Sequence, residues 1–208
     1  MRPVRIVIVD YGAGNLRSVV KALEYLGQEP RVVNSPGDIV SADALVFPGQ
    51  GACHSAMASL RAGGLDVAIR EFIAKERPFF GVCLGLQLLL DWSEEGDVAG
   101  LGVLPGRVRR LPGGLKVPHM GWNQVHFSRE HPVFRGIPDG SHFYFVHSYY
   151  ADPDEPGVVA GTTEYGVRFC SVLARGHVVA TQFHPEKSGA TGLKMYENFL
   201  RLASGEGA

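Results

Sequence analysis

The fold is decided by a β-branched, almost wholly apolar stretch near the start of the chain, Val4-Arg5-Ile6-Val7-Ile8-Val9. Such a strand is typical of a parallel sheet that is covered on both faces. A glycine turn follows, and Asn15 is placed to cap a helix whose apolar residues recur at helical spacing between Leu16 and Leu26. Gly27 is a natural end for that helix. The chain is therefore predicted to begin with a strand and a helix packed on it.

The same order of elements repeats through the first half of the chain. Further strands are predicted near 31–34, at 44–47 and at 78–82, and helices near 65–75 and directly after residue 83. This alternation implies parallel strands joined by right-handed crossovers. The second half instead shows short strand candidates, which look like added hairpins, before a last helix near 192–202. The strand candidates lie at 107–110, 142–146, 158–161, 167–173 and 178–183. We expect one α/β domain over residues 1–208, with a mostly parallel central sheet flanked by helices and antiparallel strands added in the second half.

Composition excludes several classes of protein. Hydrophobic residues make up 45% and charged residues 20% of the chain, and its net charge is -1, which fits a globular protein and gives no nucleic-acid footprint. The longest apolar stretch, 79–90, is interrupted by glycines and a glutamine, so we expect no membrane span. The first apolar run is too short for an export signal, and a cytoplasmic protein is expected. Its three cysteines should be reduced, and they show no C-x-x-C spacing, so no metal or other cofactor is expected.

A cysteine lies where a predicted strand meets a predicted helix, in Gly81-Val82-Cys83-Leu84-Gly85. Glycines two places on either side permit a tight turn, as in the G-x-S-x-G elbow that lifts a nucleophile out of a sheet. At a helix N-terminus the helix dipole and unpaired amides favour a thiolate. Cys83 is therefore a candidate nucleophile; the alternative is a buried structural cysteine.

A base and a group to orient it are both available in Gln182-Phe183-His184-Pro185-Glu186. His184 follows a predicted strand, and Pro185 favours extended backbone at His184. Residues two apart on an extended segment face the same way, so Glu186 is predicted to reach the imidazole. This pattern predicts a Cys83–His184–Glu186 triad; the alternative is a surface His-Pro-Glu turn.

Acyl transfer also requires donors for an oxyanion. The third predicted strand ends in Pro48-Gly49-Gln50-Gly51, and active sites of parallel sheets lie at the carboxyl ends of strands. The amides of Gln50 or Gly51, with that of Leu84, are the expected donors; the alternative is a plain turn. A second glycine-rich segment, 12–17, resembles a dinucleotide fingerprint, but Arg17 replaces its third glycine and the second strand ends at Asn34 instead of an acidic residue, which argues against a nucleotide site.

The cysteine elbow with a distant His-Pro-Glu resembles the class I, or triad, glutamine amidotransferases. Other segments narrow the resemblance to the glutaminase subunits of imidazole glycerol phosphate synthases, and they run through nearly the whole chain. The segments that narrow it are Asp10-Tyr11-Gly12-Ala13-Gly14-Asn15, Pro118-His119-Met120-Gly121-Trp122-Asn123 and Tyr144-Phe145-Val146-His147-Ser148-Tyr149, and Gly161-Thr162-Thr163-Glu164-Tyr165-Gly166 is a further match.

This resemblance implies a reaction and a substrate site. Cys83 would attack the side-chain amide of glutamine, His184 oriented by Glu186 would move the protons, and water would cleave the thioester to glutamate. The resemblance further implies that the substrate is held by Gln87, Glu95, His147, Ser148 and Tyr149, with Glu95 at its ammonium. Without the resemblance, Gln87 reads as an ordinary helix residue and Glu95 as a solvated charge.

The resemblance also implies a partner in a heterodimer, a (β/α)8-barrel cyclase that uses the ammonia to make imidazole glycerol phosphate and an aminoimidazole carboxamide ribotide in histidine biosynthesis. Interface or ammonia-passage positions would be Asn15, Trp122, Tyr144 and Lys187; a core tryptophan and a surface lysine are the alternatives. The family's oxyanion loop more often has valine where Gln50 stands. We hypothesise that the loop becomes fully competent only with the partner's substrate, because a Pro-Gly-x-Gly turn can hold more than one peptide orientation.

Three other functions are weighed against this one. A class I glutaminase of a different synthase would share the triad, so only the interface segments oppose it. A non-catalytic binding or regulatory module on the same fold would leave nucleophile, base and orienting acid without a purpose. A zinc hydrolase would need a ligand cluster that the sequence lacks.

Overall fold

The computed structural model describes residues 4–12 and 16–206. Six α-helices are present in these residues: α1 Arg17–Tyr25, α2 Pro36–Ser41, α3 Cys53–Ala62, α4 Leu65–Ala74, α5 Leu84–Gln87 and α6 Gly189–Ala203. The strands are β1 Ile6–Val9, β2 Arg31–Val33, β3 Ala44–Gly49, β4 Phe79–Cys83, β5 Leu90–Ser93, β6 Val98–Ala99, β7 Leu104–Arg110, β8 His119–Phe127, β9 Ser141–His147, β10 Tyr149–Pro153, β11 Val159–Glu164, β12 Arg168–Arg175 and β13 Val178–Thr181. Asn15, the predicted cap and interface residue, lies outside the described residues.

The strands form one mixed sheet in the order β2-β1-β3-β4-β13-β12-β10-β7-β5-β6. Its first five strands are mutually parallel, and the neighbours of β4 are β3 and β13. Beyond β13 the pairing is antiparallel, except between β5 and β7. A ribbon of β8 and β9 branches off through β11. The predicted class, a mostly parallel central sheet with antiparallel additions, is confirmed.

Helices cover both faces of the parallel strands, as the apolar strand composition requires. Side chains alternate along β1, so that Val7 and Val9 belong to one apolar cluster and Ile6 and Ile8 to the other. The first cluster includes the buried faces of α3 and α4, and the second includes those of α1 and α6. With both faces covered, the carboxyl edge is where the central strands open to a ligand.

The predicted strands of the first half are confirmed within one or two residues, and so is the helix at 65–75. The helix predicted near 192–202 is also present but begins three residues earlier, at Gly189. Two helices, α2 and α3, and four strands, β5, β6, β8 and β10, were not predicted. The helix after Cys83 is only four residues long, because the chain turns into β5 three residues later. Among the described residues, no helix combines the length and apolarity needed to cross a membrane.

Candidate active site

Cys83 lies at a strained turn between β4 and α5. Its backbone has φ 55° and ψ −104°, a region that costs a non-glycine residue on the order of 1–3 kcal/mol. The flanking glycines make this turn possible. A Cβ on Gly85 would lie 1.9 Å from the carbonyl oxygen of Phe47, and one on Gly81 would lie 2.9 Å from that of Gly85. The elbow thus packs the start of α5 directly against the backbone of β3, and at Gly85 this close approach leaves no room for a side chain.

His184 and Glu186 meet at the adjacent strand end, just beyond β13. The imidazole Nδ1 and the carboxylate Oε1 are 2.7 Å apart, with side-chain exposures of only 2% and 3%. An extended segment was expected to bring them together. Instead His184 is extended, and a 3₁₀ turn over Pro185–Lys187 returns the carboxylate to the ring. Glu186 Oε2 also accepts from the Tyr196 hydroxyl of α6, at 3.4 Å.

The other imidazole nitrogen, Nε2 of His184, is buried and has no hydrogen-bond partner among the described residues. Since Nδ1 donates to the carboxylate, Nε2 is the nitrogen free to take a proton from a thiol. Burial lowers the pKa of His184, but the negative charge of a Cys83 thiolate and the contact with Glu186 outweigh burial and raise it to about 10. A negative charge on the sulfur and the carboxylate behind the ring therefore both favour the protonated imidazole.

The predicted oxyanion residues lie beside the nucleophile. Register pairs Gly49 with Cys83 across β3 and β4, so the loop that follows β3 passes directly over the elbow. Gln50, Gly51 and Leu84 line one cavity with Cys83. Gly51 has a φ of 93°, which favours glycine there.

This cavity has a volume of about 340 Å³, within the range of small-molecule sites. Every predicted oxyanion and substrate residue lines it, together with Cys83, His184 and Lys187. Two lining residues were not predicted to do so, Pro118 and Val146, and the Val146 carbonyl lies 3.9 Å from the Cys83 sulfur. Glu186 stands behind His184, outside this lining.

Glu95 has a structural contact as well as a place in the cavity. Its Oε2 accepts from the backbone N–H of Cys53 at 2.8 Å. That amide is the first of α3, where a carboxylate is favoured by the helix dipole. The contact fixes Glu95 at the cavity wall with one carboxylate oxygen still available, so the reading of Glu95 as a freely solvated charge does not hold.

Gln87 reaches the cavity one turn after Cys83, but its amide is already engaged. Its Nε2 donates to the Tyr149 carbonyl at 2.7 Å and to Gln182 Oε1 at 3.1 Å. Its Oε1 lies 3.8 Å from the buried Cys53 sulfur. Gln182 in turn directs its Nε2 at Cys83 Sγ, 3.6 Å away.

A second chain of hydrogen bonds fixes His147. Its Nδ1 donates to the Tyr149 carbonyl at 2.8 Å, so its Nε2 must accept from His119 Nδ1, at 3.0 Å. His119 Nε2 then accepts from Asn123, at 3.3 Å. Burial lowers the pKa of His119 to about 4 and that of His147 to about 3. Both rings are therefore neutral at pH 7, and each has one defined tautomer.

The β8–β9 ribbon turns an apolar face to solvent. Met120 is 60% and Trp122 56% exposed, and Trp122 packs edge-to-face on Tyr144 with ring centroids 6.1 Å apart. Trp122 is thus not the core residue of the alternative reading. The face continues to Val146 at the cavity wall. Lys187 is exposed and also lines the cavity.

Sequence reasoning missed Gln182, His119 and Asn123 as site residues. Gln182 precedes the His-Pro-Glu motif and is fully buried, and a glutamine at the carboxyl end of an apolar strand was a usable signal. No comparable signal marks His119, whose role depends on a strand pairing that brings it opposite His147. In the described parts of the chain, no three His, Cys, Asp or Glu side chains are grouped to hold a metal ion.

Comparison with known proteins agrees with this geometry. The family model described as glutamine amidotransferase class-I matches residues 7–203. The chain is 52% identical to the imidazole glycerol phosphate synthase subunit HisH of Dehalococcoides mccartyi over 202 residues, covering 97% of this chain and 98% of the relative. It is 56% identical to the subunit of that name from Moorella thermoacetica over 203 residues, covering 97% and 96%.

A solved structure described as a glutamine amidotransferase superposes with a TM-score of 0.75 at 24% identity, covering 95% of this chain and 98% of the other, and so supports the fold. The family of the chain is shown by the match to the family model and by the two relatives, because each relative aligns with this chain along almost its full length. The chain belongs to the class I glutamine amidotransferases, within the family of the HisH subunits of imidazole glycerol phosphate synthase.

Proposed function

We propose that this single-domain chain hydrolyses glutamine through Cys83, His184 and Glu186 and delivers the ammonia to a cyclase partner in histidine biosynthesis. The observation that supports this most directly is the pairing of a strained cysteine with a buried imidazole that has one nitrogen on a carboxylate and the other unpartnered. Structural cysteines do not require a strained backbone, and surface His-Pro-Glu turns are not buried.

Acylation begins with the thiol proton on His184 Nε2. The Cys83 sulfur attacks the side-chain carbonyl carbon of glutamine, a C–S bond forms, and the oxyanion meets the amides of Leu84 and of Gln50 or Gly51. The imidazolium then returns its proton to the departing nitrogen as the C–N bond breaks. Ammonia and a thioester result. Glu186 keeps the imidazole Nδ1–H in place throughout.

Deacylation uses the same groups in reverse. His184 takes a proton from water, the hydroxide attacks the thioester, and the C–S bond breaks with its electron pair returning to sulfur. Glutamate leaves. In this proposal Glu95 meets the substrate ammonium, His147, Ser148 and Tyr149 line the substrate, and the remaining lone pair of Gln87 Oε1 is available to it.

The partner proposed is a (β/α)8-barrel cyclase, which would form imidazole glycerol phosphate and an aminoimidazole carboxamide ribotide. What supports a partner on this side is the exposed Met120–Trp122 face, which runs to the cavity wall. Large exposed apolar side chains beside a pocket are typical of protein interfaces. Trp122, Tyr144 and Lys187 are the described residues that we assign to the interface and the ammonia passage, with Asn15 as a fourth.

The test is glutamate formation by the chain alone and with a histidine-pathway cyclase and its ribotide substrate. We expect turnover in the complex to exceed that of the free chain and Cys83→Ala to abolish it. Cys170→Ala is the matched control, because that cysteine is also buried but lies on β12, away from the cavity. Undiminished turnover in Cys83→Ala would contradict the catalytic assignment. Full turnover by the free chain would contradict only the dependence of the Gln50 loop on the partner.

A class I glutaminase of a different synthase is the second candidate. It would keep the triad and the cavity and would differ in the face presented by β8 and β9. Ammonia transfer to the histidine-pathway cyclase, measured as ribotide consumed per glutamate formed, separates the two. Coupled consumption supports the histidine-pathway partner, and glutamate formation without any transfer supports a different synthase.

A further inference from the structure

Gln182 is a buried side chain that the proposed mechanism does not use. It follows β13 directly, is fully shielded from solvent, and points its amide at the nucleophile. Its Nε2 is 3.6 Å from Cys83 Sγ. An N–H group at that distance donates usefully to a thiolate and much less to a neutral thiol, because hydrogen bonds to charged groups are the stronger ones.

A contact with a backbone carbonyl determines which end of the Gln182 side-chain amide, nitrogen or oxygen, faces the sulfur. The Tyr149 carbonyl can only accept, so the group of Gln87 that lies 2.7 Å from it must be the amide nitrogen. That nitrogen also lies 3.1 Å from one end of Gln182, which must therefore be the oxygen. The end of Gln182 that faces the sulfur is then the NH₂ group.

We propose that Gln182 is a further catalytic residue, a donor to the Cys83 thiolate, and that Gln87 is a positioning residue that holds it in that orientation. This amide chain, from the Tyr149 carbonyl through Gln87 to Gln182, uses both protons of Gln87 Nε2. Gln87 is then mainly a support for Gln182 and only secondarily a contact for substrate. The inference deepens the proposed function and rests on Cys83 being the nucleophile.

The donor acts at two points of the reaction without giving up its proton. In the free enzyme the thiol proton passes to His184 Nε2, and the charge left on sulfur meets the Gln182 N–H. During deacylation the electron pair of the breaking C–S bond returns to sulfur, and the same N–H stabilises it. In the thioester the sulfur is neutral, so the bond is weakest there. Its contribution is therefore concentrated in the states that carry charge on sulfur.

Other charged or titratable groups near the Cys83 sulfur also influence its protonation, and their influence must be kept constant when Gln182 is tested. Among the described residues, the titratable or charged side chains that line the cavity with the sulfur or lie close to it are Tyr11, Cys53, Glu95, His147, Tyr149, His184 with Glu186 behind it, and Lys187. None of them is removed in the variants below. Burial raises the pKa of Cys53 and that of Cys170 to about 12, so neither of these two thiols is expected to be alkylated appreciably near neutral pH.

The experiment follows alkylation of Cys83 by iodoacetamide in the full-length chain between pH 5 and 10, read by mass spectrometry of the peptide that contains it. The sulfur displaces iodide and a C–S bond forms, so the rate reports the thiolate. Gln182→Met keeps the length of the side chain and removes the donor. We expect its half-maximal pH to rise by about one unit. At pH values well below both half-maximal points we expect about a threefold slower reaction, because the tenfold loss of thiolate is partly offset by the greater nucleophilicity of the more basic thiolate.

Further variants test the amide chain. Gln182→Glu places an oxygen at the sulfur and should raise the half-maximal pH further. Gln87→Met should raise it less than Gln182→Met, and the double variant no more than Gln182→Met alone. Gln28→Met is the control, since its amide bonds only the Leu26 carbonyl, after α1. Its profile should match that of the unaltered chain.

The possible outcomes distinguish a failure of the donor role of Gln182 from a failure of Cys83 as the nucleophile. A Gln182→Met profile that superimposes on that of the unaltered chain, with melting showing a folded protein, overturns the donor role while leaving Cys83 as nucleophile. If Gln182→Met does not fold, Gln87→Met decides: an unchanged profile with a raised KM for glutamine makes Gln87 a substrate contact and overturns its positioning role. If Cys83 of the unaltered chain is not alkylated at all, the nucleophile assignment itself fails.

Discussion

The loss of the Glu186 carboxylate behind the imidazole has an effect on kcat that can be calculated from a single distance in the structure. In Glu186→Gln the volume of the side chain is kept and its charge is lost. Unit charges 2.7 Å apart, the Nδ1–Oε1 distance, attract by about 6 kcal/mol at an effective dielectric constant of about 20, which is an upper bound. Since about 1.4 kcal/mol corresponds to a factor of ten, we expect kcat to fall by roughly 10³ to 10⁴.

The variant should also change the pH dependence. The negative charge of a Cys83 thiolate and, after it, the contact with Glu186 raise the pKa of His184 to about 10 in the free enzyme, and Glu186 is the one of these two groups that keeps its charge when the sulfur is bonded to substrate. Without the carboxylate this pKa falls, and the alkaline decline in kcat should begin at lower pH. The assay is glutamate formation in the complex from pH 6 to 10.

Glu197→Gln is the matched control, because Glu197 also pairs with cations but does so on the outer surface of α6. It should leave both rate and profile unchanged. A loss smaller than tenfold in Glu186→Gln, with a normal melting temperature, would refute the role of the buried charge. So would a large loss with an unaltered alkaline limb, since that would indicate a defect in shape rather than in charge.

Three further predictions concern packing, the interface and acid stability. Gly85→Ala should lower the free energy of unfolding by at least about 3 kcal/mol in urea titrations, because its Cβ would lie 1.9 Å from the Phe47 carbonyl oxygen. Trp122→Ala should weaken binding of the cyclase by about 2 kcal/mol, or roughly 30-fold by calorimetry, and leave the melting temperature of the free chain unchanged. The depressed pKa values of His119 and His147 stabilise the fold above pH 6.5, and that stability should be lost as the pH falls toward 4 and then 3.

Each of these has a control within the chain. Gly37→Ala meets no atom within 4 Å and should be neutral or slightly stabilising, so equal losses at both glycines would reject the packing argument. Trp92→Ala removes a partly exposed tryptophan on β5 and should not affect binding. In His119→Phe the loss of stability between pH 7 and 4.5 should be smaller; an unchanged loss would assign the acid sensitivity to other groups.

The parallel half of the sheet could be read from the sequence because its strands are covered on both faces. An uninterrupted β-branched run such as β1 has few other stable environments. The elbow could also be predicted from the sequence, since a cysteine flanked by glycines two places on either side at a strand end is typical of a tight turn with an unusual backbone conformation. The run that follows Cys83 was not, because its leucines offer no polar face, and such a run does not distinguish helix from strand. There the structure has a single helical turn and then β5.

The β8 strand escaped prediction for a different reason. Its inward residues include His119 and Asn123, and its outward residues include Met120 and Trp122. In the first half of the strand this inverts the usual pattern of polar residues outside and apolar residues inside, and the usual pattern returns only around the buried Val125, so period-two reasoning finds too short a run to predict a strand. Hydrogen bonds to His147 satisfy the polar side, and the apolar side is left to a partner. The support that β8 gives to His147 at the cavity wall was for that reason inaccessible to pattern alone.

The exposed apolar side of β8 also affects how readily copies of the free chain associate with one another. Any surplus of this polypeptide over its partner would circulate with Met120 and Trp122 in water, where copies can adhere to one another. Covering such a side chain is worth roughly 1.5–3 kcal/mol, enough for self-association to compete when copies are crowded. In the proposed heterodimer, matched amounts of the two polypeptides would keep this face covered and so limit self-association.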